Sequence, residues 1–163
     1  MIEFRRATEA DAPGVAAVLI ESYNIATLEE GEAAFREERS RGIRYIVAVE
    51  GSEALGLTSW VPHGLPKHGL AELDRIAVSP KMRGQGVAGE LFLALLDDAA
   101  AHYRAHGQCL RKLFLMTHAD NPAAQAFYRK MGFEAEATLK DHFYKGRAEL
   151  VMSLFPAPSP CSS

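Results

Sequence analysis

Residues 78–89, Val-Ser-Pro-Lys-Met-Arg-Gly-Gln-Gly-Val-Ala-Gly, constrain the fold of this chain more than any other segment. A strand-like run, Leu70 to Val78, is closed by Pro80. Three glycines follow, and then Ala88, Leu91, Phe92, Leu95, Leu96, Ala99 and Tyr103 form one apolar stripe at helical spacing from Val87 to Ala105. A strand that feeds a helix through a glycine-rich turn commits the chain to an α/β architecture. The turn also has a chemistry. Free backbone N–H groups and the positive end of a helix stabilise an anion, glycines let the backbone approach it, and Arg83 adds a charged donor.

Gly84, Gly86 and Gly89 match the dinucleotide pattern G-x-G-x-x-G, which makes a nucleotide-dependent enzyme one rival reading. The context disfavours it. Pro80-Lys81-Met82-Arg83 separates the strand from the glycines, and the next strand, Lys112 to Met116, lacks the acidic residue that pattern expects. No Gly-Lys-Ser/Thr follows, so the turn is not a P-loop either.

The rest of the chain alternates between strand-like and helix-like runs. Ile2 to Ala7 reads as a strand, and Thr8 or Asp11 caps a helix reaching Tyr23. A charged helix spans Leu28 to Arg39. Tyr45 to Glu50 and Ala54 to Val61 form a hairpin around Gly51-Ser52. Asn121 caps a helix with Pro122 at its first position, ended by Gly132. Glu134 to His142 and Arg147 to Leu154 are joined by a turn at Lys145-Gly146. The expectation is a mixed sheet with helices on both faces, a domain over 1–155 and a Pro/Ser-rich disordered tail over 156–163.

Two blocks resemble the GNAT superfamily of N-acetyltransferases. The first is Arg83-x-x-Gly86-x-Ala88, preceded by Val78-x-Pro80. The second is Asn121-x-x-Ala124-x-x-x-Tyr128-x-Lys130-x-Gly132-Phe133. They occur in the family's order, separated by one helix and one strand. The resemblance covers about Tyr45 to Leu154, and the first 44 residues match only in outline. It implies a single α/β GNAT domain, with a mixed, mostly antiparallel sheet flanked by about four helices. It also implies acetyl-CoA as cosubstrate and a primary amine as acceptor. Residue by residue, it places Arg83, Gly84, Gln85, Gly86, Val87 and Ala88 on the pyrophosphate. The backbone of Ile76, Ala77 and Val78 pairs with the pantetheine arm, and Asn121 bonds that arm too. Tyr128 becomes the acid for the departing thiolate. A free tyrosine titrates near pH ~10 and a thiol near ~8.5, so a hydrogen bond that stabilises the thiolate serves the same purpose.

Amide formation needs a base for the amine proton. Related enzymes place a carboxylate on the strand that enters the cofactor turn, which makes Glu72 the first candidate and Asp74 the second. Some relatives carry the base five positions before the motif's Asn, where this chain has Met116, a side chain that does not titrate. His118 lies nearby. Glu29, Glu30 and Glu32, the run His142-Phe143-Tyr144, Trp60 and His63 are candidate walls of an acceptor cleft. A non-catalytic acyl-CoA-binding domain on the same fold is the alternative.

Composition narrows the rest. A formal net charge of −3 leaves no basic footprint for nucleic acid. No apolar run approaches the roughly 20 residues of a membrane span, and the N-terminus lacks a signal-peptide apolar core. His102 and His106 have metal-binding spacing but no third ligand, so no metal site is expected. Cys109 and Cys161 form no CxxC pair, so a disulfide framework is not expected and a reducing cytoplasm is the default. Neither cysteine lies in a motif, which favours direct attack over a thiol intermediate. The acceptor is a small-molecule amine or a protein amine, and a homodimer through the final strands is compatible with the resemblance.

Overall fold

The computed structural model describes residues 1–157, so most of the expected tail lies outside the described residues. Seven strands and four α-helices follow in the order β1 (Glu3–Arg6), α1 (Ala12–Ser22), α2 (Leu28–Ser40), β2 (Arg44–Glu50), β3 (Glu53–His63), β4 (Leu70–Val78), α3 (Val87–Ala105), β5 (Lys112–His118), α4 (Pro122–Lys130), β6 (Glu134–Tyr144) and β7 (Arg147–Leu154). The strand order is β1-β2-β3-β4-β5-β7-β6. β4 and β5 pair in parallel, whereas β1–β2, β2–β3, β5–β7 and β6–β7 are antiparallel. This is the mixed α/β sheet that the alternating sequence pattern predicts.

The chain divides into two compact units, and β4 contributes to both. One comprises Met1–Pro62 with Asp74–Ala101, and the other His63–Leu73 with the residues from His102 onward.

In the first unit, β2 shows why a sheet needs helices on both faces. Its side chains alternate. Tyr45, Val47 and Val49 join Val15, Val18 and Leu19 of α1 and Phe35 of α2, while Ile46 and Ala48 join Val87 and Leu91 of α3. Both sets are buried, and each large aliphatic side chain contributes roughly 1.5–3 kcal/mol. α3 is further fixed through Asp98. Its carboxylate accepts hydrogen bonds from Trp60 Nε1 (2.9 Å), Arg44 Nε (3.1 Å) and Arg6 Nε. Arg44 also lies over the Trp60 ring, 5.2 Å from its centroid. Trp60, expected in a cleft wall, is instead fully buried in this core. Its size outweighs its position near the strand end.

The second unit is built on β5, β7 and β6. Leu113, Leu115, Phe133 and Met152 are buried, and the Tyr103 hydroxyl donates to the Leu70 carbonyl. β6 forms the sheet edge and is exposed along almost its whole length. Its register with β7 shifts between Leu139 and Tyr144, where Asp141 adopts φ 48° and accepts a 2.7 Å bond from Gly146 N. Against the expectation from spacing, Cys109 is disulfide-bonded; the other cysteine, Cys161, lies outside the described residues. Among the described residues, no helix is long and apolar enough to cross a membrane.

Candidate functional site

The glycine-rich turn belongs to the first unit. β4 ends at Val78, Ser79 N donates to Leu55 O (2.8 Å), and one turn of 3-10 helix spans Pro80–Met82. The chain then passes through Gly84 (φ 75°) and Gly86 (φ 79°) into α3. Those left-handed positions are what a side chain would resist. A Cβ built at Gly84, Gly86 or Gly89 meets no heavy atom within 4 Å, so the space over the turn is open. The first amides of a helix have no intrahelical partner, and here they lie at the positive helix end beside the open space over the glycines. Arg83 is exposed and forms no ion pair among the described residues. Lys81, by contrast, is paired with Glu53, and Gln85 Nε2 donates to Lys81 O (3.0 Å). Open amides, glycines and an uncommitted arginine fit a pyrophosphate.

Ile76, Ala77 and Val78 precede the turn. The β4–β5 pairing covers Leu70–Glu72 against Lys112–Phe114, so among the described residues Ile76–Val78 have no ladder partner in β5. The Tyr23 hydroxyl lies 3.4 Å from Ile76 O. Beside it, Arg75 donates to Glu38 (2.8 Å) and stacks over the Tyr23 ring at 5.0 Å. Its Nη1 is a buried donor with no hydrogen-bond partner among the described residues. Burial pushes the Tyr23 hydroxyl above its usual range, with the nearby Arg75 charge opposing. Asp74, the second base candidate, is exposed and accepts from Ser59 Oγ (3.3 Å).

Glu72, Asn121 and Tyr128 belong to the second unit. Asn121 caps α4: its side-chain oxygen accepts from Ala124 N at 3.1 Å. That bond occupies the oxygen and leaves the NH2 group to donate elsewhere. Tyr128 is half-buried, its ring set between Phe127 (5.4 Å) and Phe133 (5.8 Å). Glu72 is not a solvated strand-start carboxylate. It is largely buried, and its Oε2 lies 2.7 Å from His63 Nε2.

Sequence reasoning missed two pairings. His63 was a candidate for a cleft wall, but its bond to Glu72 links residues nine apart around the β3–β4 connection. His118 bonds through Nδ1 to Glu149, the residue directly opposite it on β7. Glu149 is almost fully buried, a condition that its place in Arg-Ala-Glu-Leu does not signal. Of the acidic candidates in α2, Glu30 accepts from Ala26 N (2.9 Å) while Thr27 Oγ1 accepts from Glu30 N (3.1 Å), and Glu32 pairs with Arg36. Those carboxylates are helix-start and surface partners. Phe143 and Tyr144 are exposed. Among the described residues, no group of three or more His, Cys, Asp or Glu side chains converges to hold a metal.

A sequence model of the acetyltransferase (GNAT) family matches residues 9–133. No curated protein sequence matches the chain. Solved structures do. One, from Desulfovibrio desulfuricans, is assigned to the GNAT family of acetyltransferases. It is 24% identical with a TM-score of 0.79, covering 95% of this chain and 99% of that one. A ribosomal-protein-alanine N-acetyltransferase from Brucella melitensis is 25% identical with a TM-score of 0.71, over 94% and 99%. A spermidine N-acetyltransferase variant from Vibrio cholerae is 19% identical with a TM-score of 0.75, over 94% and 93%.

Proposed function

We propose, from the premise that this chain belongs to the GNAT acetyltransferase family, that it transfers an acetyl group from acetyl-CoA to a primary amine by direct attack. The observation that carries the reading is the turn at 83–88. Its left-handed glycines, open space and exposed Arg83 fit the pyrophosphate of the cosubstrate. On this reading Arg83, Gly84, Gln85, Gly86, Val87 and Ala88 hold that group. Ile76, Ala77 and Val78 offer backbone groups to the pantetheine arm, and their N–H groups polarise the thioester carbonyl. The Asn121 NH2 group, left over from capping, donates to the same arm.

Bound acetyl-CoA supplies the activated acyl group. The chain's residues supply the proton traffic. The Glu72–His63 pair takes the amine proton, and the Tyr128 hydroxyl donates to the sulfur as the C–S bond breaks. The acceptor is a small-molecule amine or a protein amine. Similar structures include one enzyme named for each kind, spermidine and ribosomal-protein alanine, and their range supports an amine without choosing between them.

Isothermal titration with acetyl-CoA, CoA and NAD tests the reading, using wild type and Gly86→Trp with thermal unfolding as the fold control. Acetyl-CoA binding that is lost in a folded Gly86→Trp supports it. Preference for NAD, or no binding of CoA, overturns it. Turnover is then followed by thiol release over a panel of amines. Tyr128→Phe should lower kcat by roughly 10²-fold or more with acetyl-CoA affinity unchanged. Binding without turnover on any amine returns the chain to a non-catalytic acyl-CoA-binding domain.

A further inference from the structure

Glu72 and His63 form a pair in which the two partners have unequal access. The Glu72 side chain is 15% exposed and one of its oxygens is held by His63 Nε2; the His63 side chain is 41% exposed. The imidazole is fixed on two sides. Glu72 comes from β4, and Phe114 comes from the paired position on β5, its ring centroid 5.2 Å from that of His63. A carboxylate at Nε2 draws the ring proton to that nitrogen. Nδ1 is then a bare lone pair, and it has no hydrogen-bond partner among the described residues. An imidazole is also intrinsically a better proton acceptor than a carboxylate.

We infer that His63 Nδ1 is the atom that takes the proton from the acceptor amine, and that Glu72 is a positioning residue which sets the tautomer and offsets the charge of the imidazolium. This deepens the acetyl-transfer reading above and rests on it. The balance is complete. The neutral amine nitrogen bonds to the thioester carbon and gives one proton to Nδ1. The C–S bond breaks and its electron pair leaves on sulfur. The thiolate gains a proton from Tyr128, and the proton on His63 returns the tyrosine to its starting state by way of solvent. The products are the amide and CoA thiol. Glu72 is the charged group that faces the imidazole from β4, and the face contributed by β5, Phe114, is uncharged.

Two measurements decide the roles. Nitrogen-15 imidazole spectra of the full chain with CoA, at alkaline pH, read the tautomer without any acceptor. The expected result is a protonated Nε2 and a bare Nδ1 on His63, with that bias lost in Glu72→Gln. A protonated Nδ1 overturns the assignment. Kinetics on an amine that wild type turns over give the second test. His63→Ala should lose roughly 10²–10⁴-fold in kcat, with added imidazole restoring part of it and acetyl-CoA affinity unchanged. Glu72→Gln should lose less than His63→Ala. A full loss in Glu72→Gln beside a loss under tenfold in His63→Ala overturns the proposal and returns the base to the carboxylate. Absence of turnover in wild type on every amine counts against the acetyl-transfer reading instead, while the tautomer still decides the geometry.

Discussion

Asn121 caps α4 and, on the proposed reading, also serves the cosubstrate; a single substitution can separate the two. Its oxygen accepts from Ala124 N to cap α4, and its NH2 group is the part assigned to the cosubstrate. Asn121→Asp keeps an acceptor at the helix start, where a negative charge is also favourable, but removes the donor. It should unfold at nearly the wild-type denaturant midpoint and bind acetyl-CoA about tenfold more weakly. Asn121→Ala should lose about 1 kcal/mol of stability as well. Calorimetry for binding and urea titration for stability separate the two. If Asn121→Asp binds acetyl-CoA as wild type does, the residue is a cap and nothing more. The cap is legible in the sequence from Asn-Pro before an apolar helix face. The division of labour within one side chain is not, because it depends on which atom the helix claims.

At the scale of elements, one carboxylate on α3 adds to the hold of its apolar stripe on the first unit. Burial works against the charged form of Asp98, but the hydrogen bonds from Arg44, Arg6 and Trp60 outweigh it and hold the pKa below the usual range. Asp98→Asn should destabilise the protein by on the order of 2 kcal/mol, since it weakens charge-assisted bonds in a buried setting. Arg6→Ala should cost under 1 kcal/mol, because that guanidinium is 59% exposed. Equal losses in the two variants, read from urea midpoints, would show that the exposed arm is the main tether. Periodicity fixed β4, α3 and β7 to their observed ends, because apolar spacing and proline or glycine punctuation coincide there. It missed the far ends of β3, β5 and β6, which run on through polar residues such as His63, His118 and Tyr144. Pairing with β7 holds His118 and Tyr144, and a side-chain bond to Glu72 holds His63; a single-strand pattern contains none of these. The same lack of register information hid the His63–Glu72 and His118–Glu149 pairs.

For the molecule as a whole, two partly buried carboxylates contribute to the acid limit. Asp11 is held down to about 2, first by the Arg5 hydrogen bond and then, against a burial penalty, by bonds from Thr8 N and Oγ1. Asp98 is also lowered. Both are depressed below their unfolded values, so the stability they contribute is fully present above about pH 4 and is lost as pH falls through the folded values. The urea midpoint should therefore hold from neutrality to about pH 5 and fall steeply toward pH 2, with a shallower fall in Asp11→Asn. A midpoint independent of pH across that range would refute the role of both groups. The chain's one tryptophan makes such a titration more informative than usual. Trp60 lies in the first unit, fully buried and bonded to Asp98, whereas Tyr103, Tyr128 and Tyr144 lie in the second. Indole emission therefore reports on only one unit, starting from the blue-shifted spectrum of a dry environment. If far-ultraviolet dichroism and indole emission change at the same denaturant concentration, the two units melt as one. If emission shifts to the red while much of the dichroism persists, the glycine-rich turn loses its frame before Tyr128 loses its own.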